Sequence, residues 1–156
     1  MATGDFDGVI IIWNVESGAV RYKLVPPPLP THVNNGAGSV GMKDAYAPMT
    51  DRAAECLAFV GGFDHGKSNI GLPLVLAASY ADGHVRLWNV SDGTLLIDFH
   101  AGHKPGESVL CIASDSAGTR MVTGDSVGRL RLWDISSVTA AVTRAAAAAL
   151  AAAKAA

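Results

Sequence analysis

Residues 77–93 read AASYADGHVRLWNVSDG, and the same pattern stands at two other places in the chain. Residues 2–18 read ATGDFDGVIIIWNVESG, and residues 122–136 read VTGDSVGRLRLWDIS. The three segments align without gaps over their core. Each has a Gly five residues before a Trp: Gly8 and Trp13, Gly83 and Trp88, Gly128 and Trp133. Each Trp is followed by Asn or Asp and then by a β-branched residue. Recurrence of this kind marks a fold assembled from like supersecondary modules.

Each copy reads as a short strand, a tight turn at the Gly and a second strand that carries the Trp. Asp7-Gly8 and Asp82-Gly83 are hairpin signals, because Gly accepts the positive φ such turns require. The runs that follow are β-branched and aliphatic: Val9 to Ile12, then Val85 and Leu87, then Leu130 and Leu132. They are expected to be strands covered on both faces. Second turns at Ser17-Gly18 and Asp92-Gly93 lead to further strands, Ala19 to Leu24 and Thr94 to Phe99. The second and third copies are 45 residues apart and the first and second 75. Two insertions between strands explain the surplus, Val25 to Arg52, with Pro26, Pro27, Pro28 and Pro30, and Gly61 to Pro73.

On these residues the chain resembles the WD-repeat β-propeller family, whose repeats run about 40–45 residues with four strands per blade. The likeness covers most of residues 2–135, with Gly102-His103 similar to the family's Gly-His dipeptide and Trp133-Asp134 to its Trp-Asp. It implies an all-β fold of propeller blades followed by an Ala-rich α-helix. The expected division is a partial blade at 1–24, a Pro/Gly-rich insertion at 25–52, and a full four-stranded blade at 53–100 with a loop insertion at 61–73. A further blade follows at 101–135 and a helical tail at 136–156. Propellers close with roughly four to eight blades, and this division supplies about two and a half. An open stack exposes strand edges and apolar faces. The missing blades are therefore expected from the rest of a larger protein or from another chain.

The resemblance also implies a structural network of His, Ser or Thr, Trp and Asp. Thr3, Asp7 and Trp13 match it in the first copy. Asp82 and Trp88 match in the second, with Ala78 in place of the hydroxyl residue. His103, Thr123 and Trp133 match in the third, with Val127 in place of the Asp. No copy holds the complete set. Arg86 and Arg131 stand two residues before a Trp and share its strand face. Each can meet an acidic partner, or lay its stem between blades and reach outward.

Composition excludes several function classes. Hydrophobic residues make up 49% and charged residues 17%, which argues against wholesale disorder. A net charge of −2 lacks the excess of Lys and Arg expected of a dedicated nucleic-acid binder. Cys56 and Cys111 lie in apolar strand-like runs and are expected to be buried, reduced thiols. His100 and His103 form the only close His pair, too few ligands for a zinc site. The start is neither basic nor apolar enough for a signal peptide. Ala145 to Ala153, the longest mildly apolar run, falls short of the roughly 20 residues of a membrane span.

Two motifs compete with the repeat reading. Gly61 to Ser68, GGFDHGKS, satisfies the phosphate-loop pattern through Gly61, Gly66, Lys67 and Ser68. A helix must open just after such a loop, and Gly71 and Pro73 stand there instead, so a surface loop is expected. Pro27 to Pro30 satisfies P-x-x-P and reads as a stiff spacer between blades. Asp5, Asp7, Asp115 and Asp125 sit at turns with no nucleophile oriented against them, which supplies no acid–base catalysis. His32, His65 and His84 read as loop or edge residues.

The implied class is a non-enzymatic interaction scaffold with no cofactor, whose partners are other protein subunits rather than nucleic acid or membrane. The Ala-rich tail, the insertions and the partial blade count resemble large WD-repeat proteins of the ciliary axoneme, implying microtubule-associated partners and a cytoplasmic, cytoskeletal location. The alternatives are a substrate-recruiting adaptor, as in a ubiquitin ligase, and a nucleotide binder built on residues 61–68.

Overall fold

The computed structural model describes residues 1–28, 52–61, 75–101 and 107–155. Ten strands form three antiparallel sheets. The first sheet holds β1 (Ala2–Gly4), β2 (Ile10–Trp13) and β3 (Val20–Leu24). The middle sheet holds β4 (Ala54–Val60), β5 (Val75–Tyr80), β6 (His84–Asn89) and β7 (Leu95–His100). The last holds β8 (Val109–Ser114), β9 (Arg120–Asp125) and β10 (Leu130–Asp134), and α1 (Ser136–Ala155) follows. Within each sheet the strands pair in chain order, as short hairpin connections dictate.

The repeat extends to the irregularities. The β2–β3 register shifts between Ile12 and Trp13, and the β6–β7 register between Leu87 and Trp88. The β4–β5 and β8–β9 ladders each carry a further register shift, at Ala54/Cys56 and Val109/Cys111. Bulges at matching positions give neighbouring sheets the same local twist, which lets them stack. The hairpin turns are alike too. Gly8, Gly83 and Gly128 donate their N–H groups to the carbonyls of Asp5, Tyr80 and Asp125, three residues earlier. Each of these glycines has φ near +80°, a region costly for any side chain.

The core lies in two layers on either side of the middle sheet. Leu76, Ala78, Tyr80 and Trp88 join Ile10, Ile12 and Leu24 of the first sheet. Val75, Ala77, Val85 and Leu87 join Val109, Ile112 and Met121 of the last. Alternate residues of β5 and β6 point to opposite faces, so the whole of β5 is buried.

The outer sheets depart from the expectation of strands covered on both sides. Leu130 and Leu132 are 74% and 69% exposed, because no described residue packs on the far face of the last sheet. Cys111 is exposed on that same face rather than buried, while Cys56 is half-buried against the last sheet.

Helix α1 takes the chain away from β10 where the other two sheets have an outer strand. Its first turn is held by the Asp134 carboxylate, which accepts the Ser136 N–H at 3.0 Å and the Ser136 hydroxyl at 2.6 Å. Asp134 is therefore the cap of this helix. Ile135, Val138 and Val142 enter the core between the middle and last sheets, and the Thr139 hydroxyl donates to the Gly118 carbonyl at 2.8 Å. Beyond Val142 the helix is largely exposed. By length and composition Ser136–Lys154 reaches the threshold for a membrane span, contrary to the sequence reading. Methyl side chains add up over 19 residues whose only charged members are Arg144 and Lys154.

Candidate functional site

In the first and last repeats the Trp is fixed by the Thr that stands ten residues before it. Trp13 donates its indole N–H to the Thr3 hydroxyl at 2.9 Å, and Trp133 donates to Thr123, also at 2.9 Å. Thr3 pairs with Ile11 and Thr123 with Arg131, so each Thr is the diagonal neighbour of its Trp on the same face, and the bond ties the ring across β1–β2 and β9–β10. In the middle sheet Ala78 takes the place of the Thr, and the buried Trp88 N–H has no hydrogen-bond partner among the described residues.

The turn carboxylates serve the turns. Asp5 Oδ1 accepts from the N–H groups of Asp7 and Val9, and Asp125 Oδ1 from those of Val127 and Arg129. Both stand eight residues before a Trp. Asp115 accepts from the backbone of Thr119 and Arg120 and from the Thr119 hydroxyl. These bonds, the Arg120 N–H foremost, hold its carboxyl below the usual range. Asp7 itself is exposed at the crest of its turn.

The middle sheet places Tyr80 where its neighbours have Asp5 and Asp125, and a charged cluster forms around it. Arg86 is 2% exposed, which removes it as a partner contact. Its Nη2 reaches Asp82 Oδ2 at 2.9 Å and its Nε reaches Asp98 Oδ2 at 3.1 Å. Its guanidinium covers the Tyr80 ring at 4.3 Å. Burying that stem between sheets requires the charge to be neutralised on the spot, and two carboxylates do so. Asp98 also meets His84 Nδ1 at 2.6 Å, and His84 stands edge-on to His100 at 5.3 Å. Burial pushes the Tyr80 hydroxyl up to about 12, opposed by the Arg86 charge and then by the Trp88 indole.

The remaining sequence candidates divide simply. Asp82 joins the cluster, and its Oδ1 also accepts the His84 N–H. Asp134 caps α1. Arg131 is exposed opposite Thr123 in the β9–β10 ladder. Gly61 ends β4 with φ +76° and lies against Gly118. Gly66, Lys67, Ser68, His103, His32, His65 and Pro30 lie outside the described residues, as does most of both insertions. Among the described residues no group of three His, Cys, Asp or Glu is placed to hold a metal ion. Sequence reasoning missed Tyr80, His84 and Asp98 as a unit. The available signal was the aromatic at the position of Asp5 and Asp125.

A groove of about 730 Å³ runs along the edge of the first sheet, lined in part by Met1, Trp13, Val15, Val20, Phe59 and Val90.

Comparison with known proteins agrees with this architecture. The family model described as WD domain, G-beta repeat matches residues 91–134. A solved structure described as "Structure of U3-55K" is 21% identical, with a TM-score of 0.56 over 86% of this chain. The match spans 30% of that chain, so the present chain corresponds to less than a third of it. No curated protein sequence matches. An identity this low establishes the fold and says nothing of partners. Residues 91–134 match a WD repeat, and the three antiparallel sheets of the chain have the fold of β-propeller blades.

Proposed function

We propose that the chain is a non-enzymatic protein–protein interaction scaffold, part of a β-propeller within a larger multi-subunit assembly, and a structural component of the cilium or flagellum axoneme. One observation carries the scaffold reading. The carboxylates Asp5, Asp82, Asp98, Asp115, Asp125 and Asp134 are engaged in turns, a helix cap and an internal charge cluster. The described surface also exposes large apolar side chains, among them Phe6, Val15, Leu130 and Leu132. Exposed apolar area on a stiff sheet framework suits protein contacts. The axonemal part rests on the likeness of the Ala-rich tail and the insertions to large WD-repeat proteins of that structure.

Proximity labelling from the full protein in ciliated cells tests both levels. Tubulin and doublet-associated proteins are the expected neighbours. Enrichment of ubiquitin-ligase subunits in their place overturns the axonemal reading in favour of an adaptor. Magnesium-dependent ATP binding that is lost in Lys67→Ala overturns the scaffold reading itself.

A further inference from the structure

The chain carries three Asp-Gly pairs, Asp7-Gly8, Asp82-Gly83 and Asp92-Gly93, each at the turn of a hairpin. Their backbones are alike. The glycines have φ of +79°, +79° and +77°. Their N–H groups donate to the carbonyls of Asp5, Tyr80 and Asn89 at 3.1, 3.1 and 2.8 Å. Their carboxylates are unlike. Asp92 Oδ1 accepts the N–H and the hydroxyl of Thr94 at 2.9 and 2.7 Å, and its Oδ2 accepts from Asn89 Nδ2 at 2.9 Å. Asp82 accepts the His84 N–H on one oxygen and the Arg86 guanidinium on the other. Asp7 is exposed, and its carboxylate has no hydrogen-bond or ion-pair partner among the described residues.

Two departures within the repeat release Asp7. Arg86 stands four residues after Asp82, and the residue four after Asp7 is Ile11, so the first sheet has no guanidinium there. Asp82 takes the N–H two residues on because Tyr80 has no carboxylate to compete for it. In the first sheet Asp5 occupies the place of Tyr80. Its Oδ1 takes the N–H of Val9 at 2.8 Å and that of Asp7 itself at 3.0 Å. The last repeat has Val127 at this position and no carboxylate at all.

We propose that Asp7 is a modification site, the position at which the folded chain isomerises spontaneously to isoaspartate. The Gly8 nitrogen attacks Asp7 Cγ. The N–Cγ bond forms, the Cγ–O bond breaks, and the amide proton leaves with the hydroxyl as water. The product is a five-membered succinimide, and Gly8 has no side chain to hinder its closure. Water then opens the ring. Addition at the Asp7 main-chain carbonyl leaves the chain running through Cγ, and addition at Cγ restores aspartate. No oxidant or cofactor enters, and the mass is unchanged after hydrolysis. A hydrogen bond to a carboxylate that must be given up before closure slows the reaction by about tenfold or more. Asp82 and Asp92 each hold two or more, and Asp7 none.

The fold makes the change consequential. Gly8 is buried, and a Cβ on it would overlap the Arg52 carbonyl and stand 3.3 Å from both Pro26 and the Tyr80 ring. Isoaspartate lengthens the main chain by one carbon immediately before this residue. The β1–β2 turn cannot then keep both its hydrogen bonds and its seat against the middle sheet. The isomerised chain is expected to have a lower unfolding midpoint. The inference rests on turn geometry and is independent of the axonemal reading.

The test is prolonged incubation of the full protein at physiological pH, followed by site-resolved peptide mapping. An isoaspartyl carboxyl methyltransferase with labelled S-adenosylmethionine marks the isomerised peptides. Asn35-Gly36 also yields isoaspartate, and its deamidation is told apart by the mass change. Isoaspartate is expected at Asp7 at least about tenfold ahead of Asp82 and Asp92. In urea the three rates are expected to draw together, because the motif is then all they share. Asp7→Glu keeps the charge on an exposed crest, requires a six-membered ring, and is expected to lose the label at this site and the fall in unfolding midpoint on ageing. Equal accumulation at Asp82 or Asp92 in the folded protein overturns the proposal. So does label at Asp7 that appears in urea and never in the native state.

Discussion

The guanidinium carbon of Arg86 lies 4.3 Å from the centroid of the Tyr80 ring, and both side chains are sealed on the side of the middle sheet that faces the first. A cation over an aromatic face is favourable, more so once water is excluded. Here it is also confined, because Asp82 and Asp98 hold the guanidinium from two sides. Arg86→Met keeps much of the volume and removes the charge, leaving Asp82 buried without its counter-ion. Removing one member of a buried pair costs about 3–5 kcal/mol. The partial exposure of Asp98 places the expected loss near the lower end. Urea unfolding measures it, with Arg144→Met as the exposed control, expected within about 0.5 kcal/mol of wild type.

Tyr80 sets an alkaline limit on stability. Its folded-state pKa is raised from 10.0 to about 12 by burial. Raising the folded value means the folded state holds the phenolic proton more tightly than the unfolded chain does. The contribution is therefore complete below pH 10 and lost as pH rises from there to about 12. A shift of two units corresponds to roughly 2.7 kcal/mol. The unfolding midpoint of the wild type is expected to fall across that interval. Phenolate absorbance is expected to show a late-titrating component that is absent in Tyr80→Phe.

The Trp–Thr pairs make a graded prediction. Thr123 is buried, so Thr123→Val strands the Trp133 N–H and is expected to cost about 1–2 kcal/mol. Thr3 is exposed, where water replaces the lost acceptor, and Thr3→Val is expected to cost less than about 1 kcal/mol. In the middle sheet Ala78→Ser introduces the missing hydroxyl near the unpartnered Trp88 N–H, with an expected gain of about 1 kcal/mol. Chemical unfolding of the three variants gives the order directly.

Much of the fold was legible because its signals are local. A Gly five residues before a Trp, alternating apolar residues and Asp-Gly pairs specify a hairpin within about a dozen residues. Strand alternation tells which side of a strand a residue takes. It does not tell whether another layer covers that side, so Leu130 and Leu132 read as core and prove exposed. The charged cluster was hidden for a different reason. Asp98 reaches Arg86 only through the β6–β7 register, in which the two stand directly opposite. Tyr80 matters through a second sheet that no short window contains. Only the comparison of equivalent positions, Tyr80 against Asp5 and Asp125, exposes the departure. The Arg86 side chain, equally open to reading as a surface contact, is decided by burial alone.

Acid sensitivity is expected to originate at two turns. The carboxyl of Asp115 is held below the usual carboxylate range by the Arg120 N–H and then the Thr119 hydroxyl. That of Asp134 is held below it by the hydroxyl and then the N–H of Ser136. A depressed folded value means the folded state releases the proton more readily than the unfolded chain. The stabilisation is present above the unfolded value and disappears as pH falls through the folded one. Asp115→Asn and Asp134→Asn are each expected to flatten the decline in unfolding midpoint as pH falls through and below the usual carboxylate range. An acid limb as steep as that of the wild type in both variants shows the instability to lie elsewhere.

Helix α1 divides into a docked turn and an exposed shaft, and the two halves should respond very unequally to the same substitution. Val142 is 6% exposed in the core between the middle and last sheets, so Val142→Asp buries an unpaired charge. The expected loss is about 3 kcal/mol or more, the range of the most damaging single changes. Leu150 lies two turns further on at 41% exposure. In water, Leu150→Asp is expected to change the unfolding midpoint by no more than the small helix-propensity difference, about 0.5 kcal/mol. Thermal unfolding of the pair separates the halves. If Leu150→Asp destabilises as much as Val142→Asp, the shaft is packed on protein along its length, and the exposed surface from residue 143 onward is not free in solution.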